Sequence, residues 1–485
     1  MRWGVVLPVV GGALLAAGAG MLVCALVAAG YGDGGVLAFA LPGSATAALG
    51  AAGLLLGRRL PSSPLRPRDG YFAVTAAWAA SAAAGAIPLL AAATFAAPVD
   101  AFFESMSGFT GCGATLLDDV EAEPHAVLLW RSLMHWIGGV GIVLLVVAVA
   151  PATGLASQRL FFAESSSPTM ERLTPRIADT AKIIWGVYLT LTVASCLALF
   201  AAGMRPFDAV NHAIAGIATG GFSTRTASIG AFDSLPIELV TIVVMALGGI
   251  NMAFYWRAVH GDSLRPQLAE VRAYVFLLAG GTVVVAASIL IADDVSGVGA
   301  ALRESAFSVV SMMTTTAFIT GDFDAYNDFA RLVIVSLTFI GACAGSTAGG
   351  MKVVRFLLLS HTAVQEVQRQ LQPTAVQVLR LPGRVFAEDV RRTVLGFFFV
   401  YVSVWALGVL VMAAVGLDVV TAGSASAAAL NLSGAGLEAV GATENFGAVP
   451  AGGRAAMSLL MLIGRLEVFT VVALLTPAFW RRRWT

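Results

Sequence analysis

The stretch SGFTGCGATL, residues 107–116, decides how this chain is read. It lies between two apolar runs, each long enough to cross a bilayer, and holds three glycines, two threonines and a cysteine but no charge. Non-helical backbone is tolerated at membrane depth only where protein buries it or where it lines an aqueous path. Glycines free the main chain to turn successive carbonyls toward an axis, a turn that residues with a Cβ resist at positive φ. A path lined by main-chain oxygen is the first expectation.

The bulk numbers agree. Of 485 residues, 58% are hydrophobic and 12% charged, with a mean hydropathy of +0.84. Soluble domains carry about 25% charged residues, so this composition belongs to an integral membrane protein. The formal net charge of +0 and the even spacing of basic residues exclude a nucleic-acid partner. Cys24, Cys112, Cys196 and Cys343 are far apart and read as small buried residues, and the five dispersed histidines form no His-Glu-x-x-His zinc pair. The N-terminus is charge-free from Trp3 to Gly32, longer than the roughly 7–15 residues of a signal-peptide core, and reads as a spanning helix.

A spanning helix needs about 20 apolar residues. Such runs fall near 4–29, 35–57, 71–97, 130–150, 183–203, 237–256, 273–292, 332–351, 393–415 and 455–479, the last interrupted by Arg465 and Glu467. Basic residues occupy alternate loops: Arg58, Arg59, Arg66 and Arg68; Arg159, Arg172, Arg176 and Lys182; Arg257, Arg265 and Arg272; Lys352 to Arg392; Arg481 to Arg483. Lys and Arg are retained on the cytoplasmic side, which places both termini inside. The opposite loops carry Asp100, Glu104, Asp118, Asp119, Glu121 and Glu123, then Asp293, Asp294, Glu304, Asp322, Asp324 and Asp328. They read as an acidic mouth that concentrates cations, or as solvated loop charge.

The opening stretch recurs. Counterparts are AGIATGGFSTR (215–225), SMMTTTAFITG (311–321) and LNLSGAGLEAVG (430–441). Each contains a Gly or Ala before Ala, Phe or Leu: Gly113-Ala114, Gly221-Phe222, Ala317-Phe318 and Gly436-Leu437. Downstream at intervals of 25, 27, 24 and 28 residues comes an apolar residue followed by glycine: Gly138, Gly248, Gly341 and Gly464. Two landmarks in near-constant register predict a unit of helix, re-entrant half-helix, extended strand and helix, used four times. The half-helices fall near 101–109, 207–217, 302–314 and 423–432. Their partly negative C-termini favour cations, and four strands around one axis make a ring of oxygens able to replace an ion's water shell.

The fold class expected is an all-α membrane protein: two N-terminal helices (1–69), then four helix/pore-loop/helix units in pseudo-fourfold arrangement around one pore. The units are 70–158, 159–260, 261–362 and, with a long polar loop, 363–485.

The chain resembles the TrkH membrane subunits of Trk-type potassium uptake systems, within the Trk/Ktr/HKT superfamily, over essentially its whole length. The residues that carry the likeness are FESMSGFTGCGAT (103–115), WRSLMHWIGGVGI (130–142), NHAIAGIATGGFST (211–224), GACAGSTAGGMKVVR (341–355) and MLIGRLEVFTVVALLTPAFWR (461–481). Two helices before four pore units fit TrkH better than the shorter Ktr relatives. The resemblance implies one pore in a single chain in the bacterial cytoplasmic membrane, paired as a homodimer, contacting membrane lipid, with a cytoplasmic nucleotide-binding regulatory ring of TrkA type beneath. It puts the filter glycines on Gly113, Gly221 and Gly436, with Ala317 as the fourth. The family's usual Thr-Thr before the first glycine is Gly111-Cys112 here, and its Gly-Pro-Gly is Gly434-Ala435-Gly436. Four glycines go with potassium preference in the family; a larger residue in one unit can admit sodium. The filter carbonyls expected to bind potassium are those of Cys112, Gly113, Gly220, Gly221, Thr316, Ala317, Ala435 and Gly436.

Two inner features complete the reading. GACAGSTAGGMK, 341–352, interrupts the eighth run; as a phosphate loop it fails, since Met351 separates its last glycine from Lys352 and no strand precedes it. It reads as close helix packing or, by resemblance, as a flexible gate comprising Gly345, Ser346, Thr347, Gly349 and Gly350, with Lys352 tethering its inner end. Arg465 within the last run needs a reason, because an unpaired charge there costs about 2.5–3.5 kcal/mol on insertion scales. It lies about 200° around the helix from Glu467, so one faces the pore and the other a neighbouring helix. Resemblance assigns Arg465 to the pore; a structural ion pair is the alternative. The polar segment from Gln365 to Arg392, with Pro373 and Pro382, reads as a docking loop for the regulatory partner or a solvated linker.

Potassium uptake is the function expected, with no cofactor beyond the ion as substrate. Sodium-permeable or sodium- or proton-coupled transport is the alternative. An inverted-repeat secondary transporter needs repeats of opposite topology, and these four units enter from one side. An intramembrane enzyme needs paired carboxylates, a Ser/His dyad or a metal cluster converging within the spans, whereas the acids here sit mainly in loops and Glu467 alone is not a catalytic set.

Overall fold

The computed structural model of this chain describes residues 1–60, 66–141, 177–372, 380–381, 384–386 and 388–481. The expected residues 142–150 of the fourth run, with Arg159, Arg172, Arg176, Pro373, Pro382, Arg482 and Arg483, lie outside them.

The N-terminal hairpin is α1 (Trp3–Tyr31) and α2 (Val36–Arg59). Its two helices meet on small residues: a Cβ on Gly11 would stand 2.7 Å from Gly50 O, and one on Gly18 would stand 2.6 Å from Ala47 N. Such close backbone approach is how helices associate where lipid supplies no hydrophobic drive.

Four units follow. The first is α3 (Pro67–Ala91), α4 (Pro98–Thr110) and α5 (His125–Gly139); the second is α6 (Ile177–Ala201), α7 (Pro206–Ile217), α8 (Leu235–Gly248) and α9 (Met252–His260). The third is α10 (Arg265–Ile291), α11 (Val298–Met313), α12 (Asp328–Ile340) and α13 (Val353–Leu371). The fourth is α14 (Glu388–Ala414), α15 (Val419–Asn431), α16 (Ala451–Arg465) and α17 (Phe469–Leu475), with the short α18 (Pro477–Trp480) closing the described chain. A two-residue antiparallel pairing, Arg380–Leu381 with Arg384–Val385, is the strand structure among the described residues.

The half-helices α4, α7, α11 and α15 start one to four residues before the expected ranges. Pro98 and Pro206 open two of them at the first position, where a missing N–H costs nothing. Asp418 caps the fourth, accepting from Val420 N at 2.9 Å and Thr421 N at 3.1 Å.

Ten continuous spans were expected; six described helices (α1, α2, α3, α6, α10, α14) are long and apolar enough to cross a membrane. The runs 237–256, 332–351 and 455–479 are broken helices: α8 and α9 meet at 91°, α12 stops before the 341–352 loop, and α16 stops before Glu467 and Val468, both at positive φ. All four second helices stop within one residue of the landmark glycine. The cause is crowding from the half-helices. A Cβ on Gly138 would stand 1.8 Å from Phe109 O, one on Gly248 3.1 Å from Ile217 O, and one on Gly464 2.0 Å from Leu430 O. Gly341 instead packs against the 341–352 loop, where its Cβ would meet Gly349 O at 2.5 Å.

The units close in a circle. The second helix of each packs on the half-helix of the next: α5 on α7, α8 on α11, α12 on α15, and α16 on α4. That is the pseudo-fourfold order.

Candidate functional site

Each half-helix ends the same way. The amide after its last turn reaches back five residues: Cys112 N to Ser107 O at 2.9 Å, Gly220 N to Ala215 O at 2.9 Å, Thr316 N to Ser311 O at 2.9 Å and Ser433 N to Ala428 O at 3.0 Å. The residue before each of these amides is left-handed, at Gly111, Thr219, Thr315 and Leu432, and so is the residue after: Gly113 (φ 85°), Gly221 (84°), Ala317 (60°) and Gly434 (62°).

This geometry fixes the fourfold register and corrects the sequence-based alignment of the last unit. Gly434, not Gly436, stands where Gly113, Gly221 and Ala317 stand. Gly436 is buried, outside the left-handed region, and donates its N–H to Val440 O at 2.7 Å. The misalignment arose because dipeptide identity, glycine before an apolar residue, matched Gly436-Leu437; the repeated element is the left-handed turn two residues earlier.

The four left-handed residues converge. A Cβ on Gly113 would stand 2.2 Å from Gly220 O, one on Gly221 1.9 Å from Thr316 O, and one on Gly434 2.4 Å from Cys112 O. Each of these three glycines thus abuts the carbonyl of the next unit in cyclic order. Ala317 has a real Cβ, which sits 2.8 Å from the Cβ position of Gly434 and 3.7 Å from that of Gly113. Gly113, Gly221, Ala317 and Gly434 are each partly exposed, and residues 112, 114, 220, 222, 316, 318, 433 and 435 beside them are buried. Their exposure opens into a cavity of about 170 Å3, bordered also by Asp118, Arg225 and Glu444. On the other side of the ring the C-terminal ends of the half-helices bring partial negative charge toward it.

A second cavity, about 140 Å3, is lined by residues at the inner ends of the second helices, among them Gly139 to Gly141, Met252, Gly345 to Gly350, Gly464, Arg465, Glu467 and Val468. The 341–352 loop crosses it and is fastened to the undersides of three units. Thr347 Oγ1 donates to Ile217 O at 2.9 Å, Gly349 N to Thr315 Oγ1 at 2.7 Å and Gly350 N to Asn431 O at 3.0 Å. Arg465 supplies the fourth attachment: its guanidinium donates to Thr347 O at 2.9 Å and to Gly138 O and Gly139 O of the first unit at 2.5 and 3.0 Å. Glu467 turns the other way and pairs with Arg355 at 2.5 Å. Lys352 Nζ folds back on Ala348 O within the loop.

Several contributors were not singled out from sequence. Glu270 of α10 holds the loop by accepting from Ala344 N at 2.6 Å and Val354 N at 3.3 Å. Thr219 and Thr315 meet the loop from the half-helix ends. Glu104, read among the acids of the mouth, is instead fully buried and paired with Arg131 at 2.9 Å. A charged residue inside an apolar run was the available signal for Arg131. Other mouth acids are also paired: Asp100 with Arg454, and Asp324 and Asp328 with Arg331. Among the described residues no group of three His, Cys, Asp or Glu could hold a metal ion.

The family model described as "TrkH: Cation transport protein" matches residues 38–481. The Trk system potassium uptake protein TrkH of Vibrio parahaemolyticus is 38% identical over 467 residues, covering 95% of this chain and 96% of the relative. Its namesake in Escherichia coli is 37% identical over 465 residues, with 95% and 96% covered. The crystal structure of the potassium transporter TrkH from Vibrio parahaemolyticus superposes with a TM-score of 0.88 at 36% sequence identity, over 99% of this chain and 100% of that one.

Proposed function

This chain belongs to the TrkH family of cation transport proteins, and from that premise we propose that it takes up potassium across the bacterial cytoplasmic membrane through its four-unit ring. The carbonyls of Cys112-Gly113, Gly220-Gly221, Thr316-Ala317 and Ser433-Gly434 replace the hydration shell of the ion. The observation that carries this reading is the contact of Gly113, Gly221 and Gly434 each with the next unit's carbonyl in cyclic order, beneath a cavity open at these three and at Ala317. No side-chain chemistry and no bound cofactor enter: the work is electrostatic, from main-chain dipoles and half-helix ends.

The 341–352 loop is the gate, closed in this conformation. Gly345, Ser346, Thr347, Gly349 and Gly350 occupy the route beneath the ring, and Arg465 both pins Thr347 and places a positive charge on the path of a cation. The loop leads directly into α13, so a regulatory subunit that moves α13 moves the gate. We propose such a subunit, of TrkA type, together with a homodimer, a lipid-facing exterior and cytoplasmic termini; the likeness to Trk system proteins supports this reading. The boundaries 70–158, 159–260, 261–362 and 363–485 delimit the units.

Ala317 supports a second reading within the family, sodium permeation, because its methyl replaces hydrogen in the ring. Rubidium uptake into liposomes holding the purified protein, competed with sodium, tests both. Uptake no faster than in empty liposomes ends the first reading; equal competition by sodium favours the second.

A further inference from the structure

We propose that Glu104 and Arg131 are positioning residues that set the ion preference of the ring by locking the first filter strand to the second; this rests on the filter reading above. Their side chains are 0% and 2% exposed, and no other ion pair among the described residues has both partners so buried. A buried pair is a poor device for stability, because desolvating two charges offsets their attraction. What it offers is several charge-assisted hydrogen bonds of fixed direction.

Those bonds all run to the backs of the filter strands. Glu104 Oε1 accepts from Thr115 Oγ1 at 2.8 Å and Oε2 from Leu116 N at 3.0 Å, two and three residues past Gly113. Arg131 spends Nε on Glu104, Nη2 on Thr115 Oγ1 at 3.0 Å, and Nη1 on Ser223 O at 3.2 Å, two residues past Gly221 in the next unit. Its guanidinium also lies 4.1 Å from the centre of the Phe222 ring. One turn further along α5, His135 accepts from Phe222 N at 3.2 Å and so donates Nδ1–H to Gly108 O at 2.8 Å. Its ring leaves no space for a Cβ on Gly220, which would stand 2.3 Å from it.

The bracing is unequal around the ring. In the register that aligns Cys112, Gly220, Thr316 and Ser433, the counterparts of Glu104 are His212, Ser308 and Ala425. His212 repeats the half-helix-to-strand link, its Nε2 2.9 Å from Ser223 Oγ. The third and fourth strands are held by serines instead: Ser311 Oγ donates to Phe318 O, and Ser424 Oγ accepts from Leu437 N. Half of the ring is therefore a rigid wall built on one ionic network. Its position decides how closely the carbonyls of Gly113 and Gly221 approach an ion, and the Ala317 side adapts to it.

The test is rubidium uptake, competed with sodium, by the full chain in liposomes, comparing the wild type with Glu104→Gln, Arg131→Lys and Thr115→Val. Glu104→Gln keeps the volume and removes the charge; rubidium preference over sodium falls by about tenfold, the change that ~1.4 kcal/mol of differential binding produces. Arg131→Lys does not restore it, since an ammonium cannot reach Glu104, Thr115 and Ser223 together in the planar fork. Thr115→Val, isosteric and uncharged, shifts preference in the same direction. Variants that lose thermal stability and flux while selecting as the wild type does assign the pair a structural role and overturn the proposal. If the charge variants do not fold, Thr115→Val decides alone, and an unchanged preference overturns it. A wild type that carries no rubidium removes the filter reading and the pair's role with it, whereas a selective wild type with equally selective variants removes the pair only.

Discussion

Phe109 O lies 1.8 Å from the point where a Cβ on Gly138 would stand. The end of the first half-helix rests directly on the second helix of its own unit, and the same contact recurs at Ile217 with Gly248 and at Leu430 with Gly464. A backbone carbonyl cannot swing aside as a side chain can. Gly138→Ala is expected to destabilise the protein toward the upper end of the ~1–3 kcal/mol typical of overpacking. Gly186→Ala on α6, where nothing lies within 4 Å, is expected to be neutral or stabilising. Thermal unfolding in detergent separates them; equal midpoints would contradict the contact.

Gly434 and Gly436 offer a direct test of register. Gly434 is left-handed and its Cβ position lies against Cys112 O, whereas that of Gly436 faces Val440 and Ser424, away from the ring. Gly434→Ala is expected to alter the rubidium-to-sodium preference. Gly436→Ala lowers stability and leaves preference intact. The reverse pattern in uptake assays would restore the alignment drawn from the dipeptide.

Ala317 holds a left-handed conformation at φ 60°. That conformation costs a residue with a Cβ roughly 1–2 kcal/mol, while glycine loses about 0.4–1 kcal/mol through its freer unfolded chain. The first effect is the larger, so Ala317→Gly should raise the melting temperature slightly. It should also sharpen preference for rubidium over sodium, and an unchanged preference would show that the methyl does not reach the ion.

Arg465 fastens the 341–352 loop, the proposed gate, to the first unit through carbonyls of Thr347, Gly138 and Gly139. A hydrogen bond from a charged donor contributes about 1.5–3 kcal/mol, so losing the set shifts the loop toward the open state by at least about tenfold. Arg465→Met in liposomes without any regulatory subunit should show correspondingly faster rubidium uptake. A slower rate would mean that the arginine holds the pore together and does not close it.

Asp418 caps α15 on the acidic-loop side, and hydrogen bonds from Thr421 and Val420 hold its carboxyl below the ordinary value of 3.8. A carboxyl depressed on folding lends stability that is full above that value and lost as pH falls through the folded one. Asp418→Ala should cost about 1 kcal/mol at neutral pH. The gap in melting temperature between variant and wild type should begin to narrow below about pH 4 and close once pH passes the folded value. A gap that does not narrow at all as pH falls from about 4 to about 2 would mean that the cap acts through packing.

The membrane class, the two N-terminal helices, the four units and the half-helices were legible because each is written in local composition: apolar length, proline at a helix start, glycine after its end. The breaks in the second helices were half legible. Gly341 to Lys352 announced itself by composition, and Arg465 by charge. The 91° turn between α8 and α9 did not, since Gly249, Ile250 and Asn251 are apolar or small enough to pass for continuing helix. Glu104 was misplaced because a carboxylate near loop acids looks solvated until its partner, Arg131, arrives from 27 residues away.

By itself the sequence determined that backbone would line a path through a membrane and that this would happen four times, because hydrophobic length and glycine content act through neighbours along the chain. Tertiary structure alone decided which residues meet on the axis. Gly434 rather than Gly436 belongs to the ring because a left-handed turn is chosen by the carbonyl it must fit against, and that carbonyl, on Cys112, lies more than 300 residues earlier in the chain.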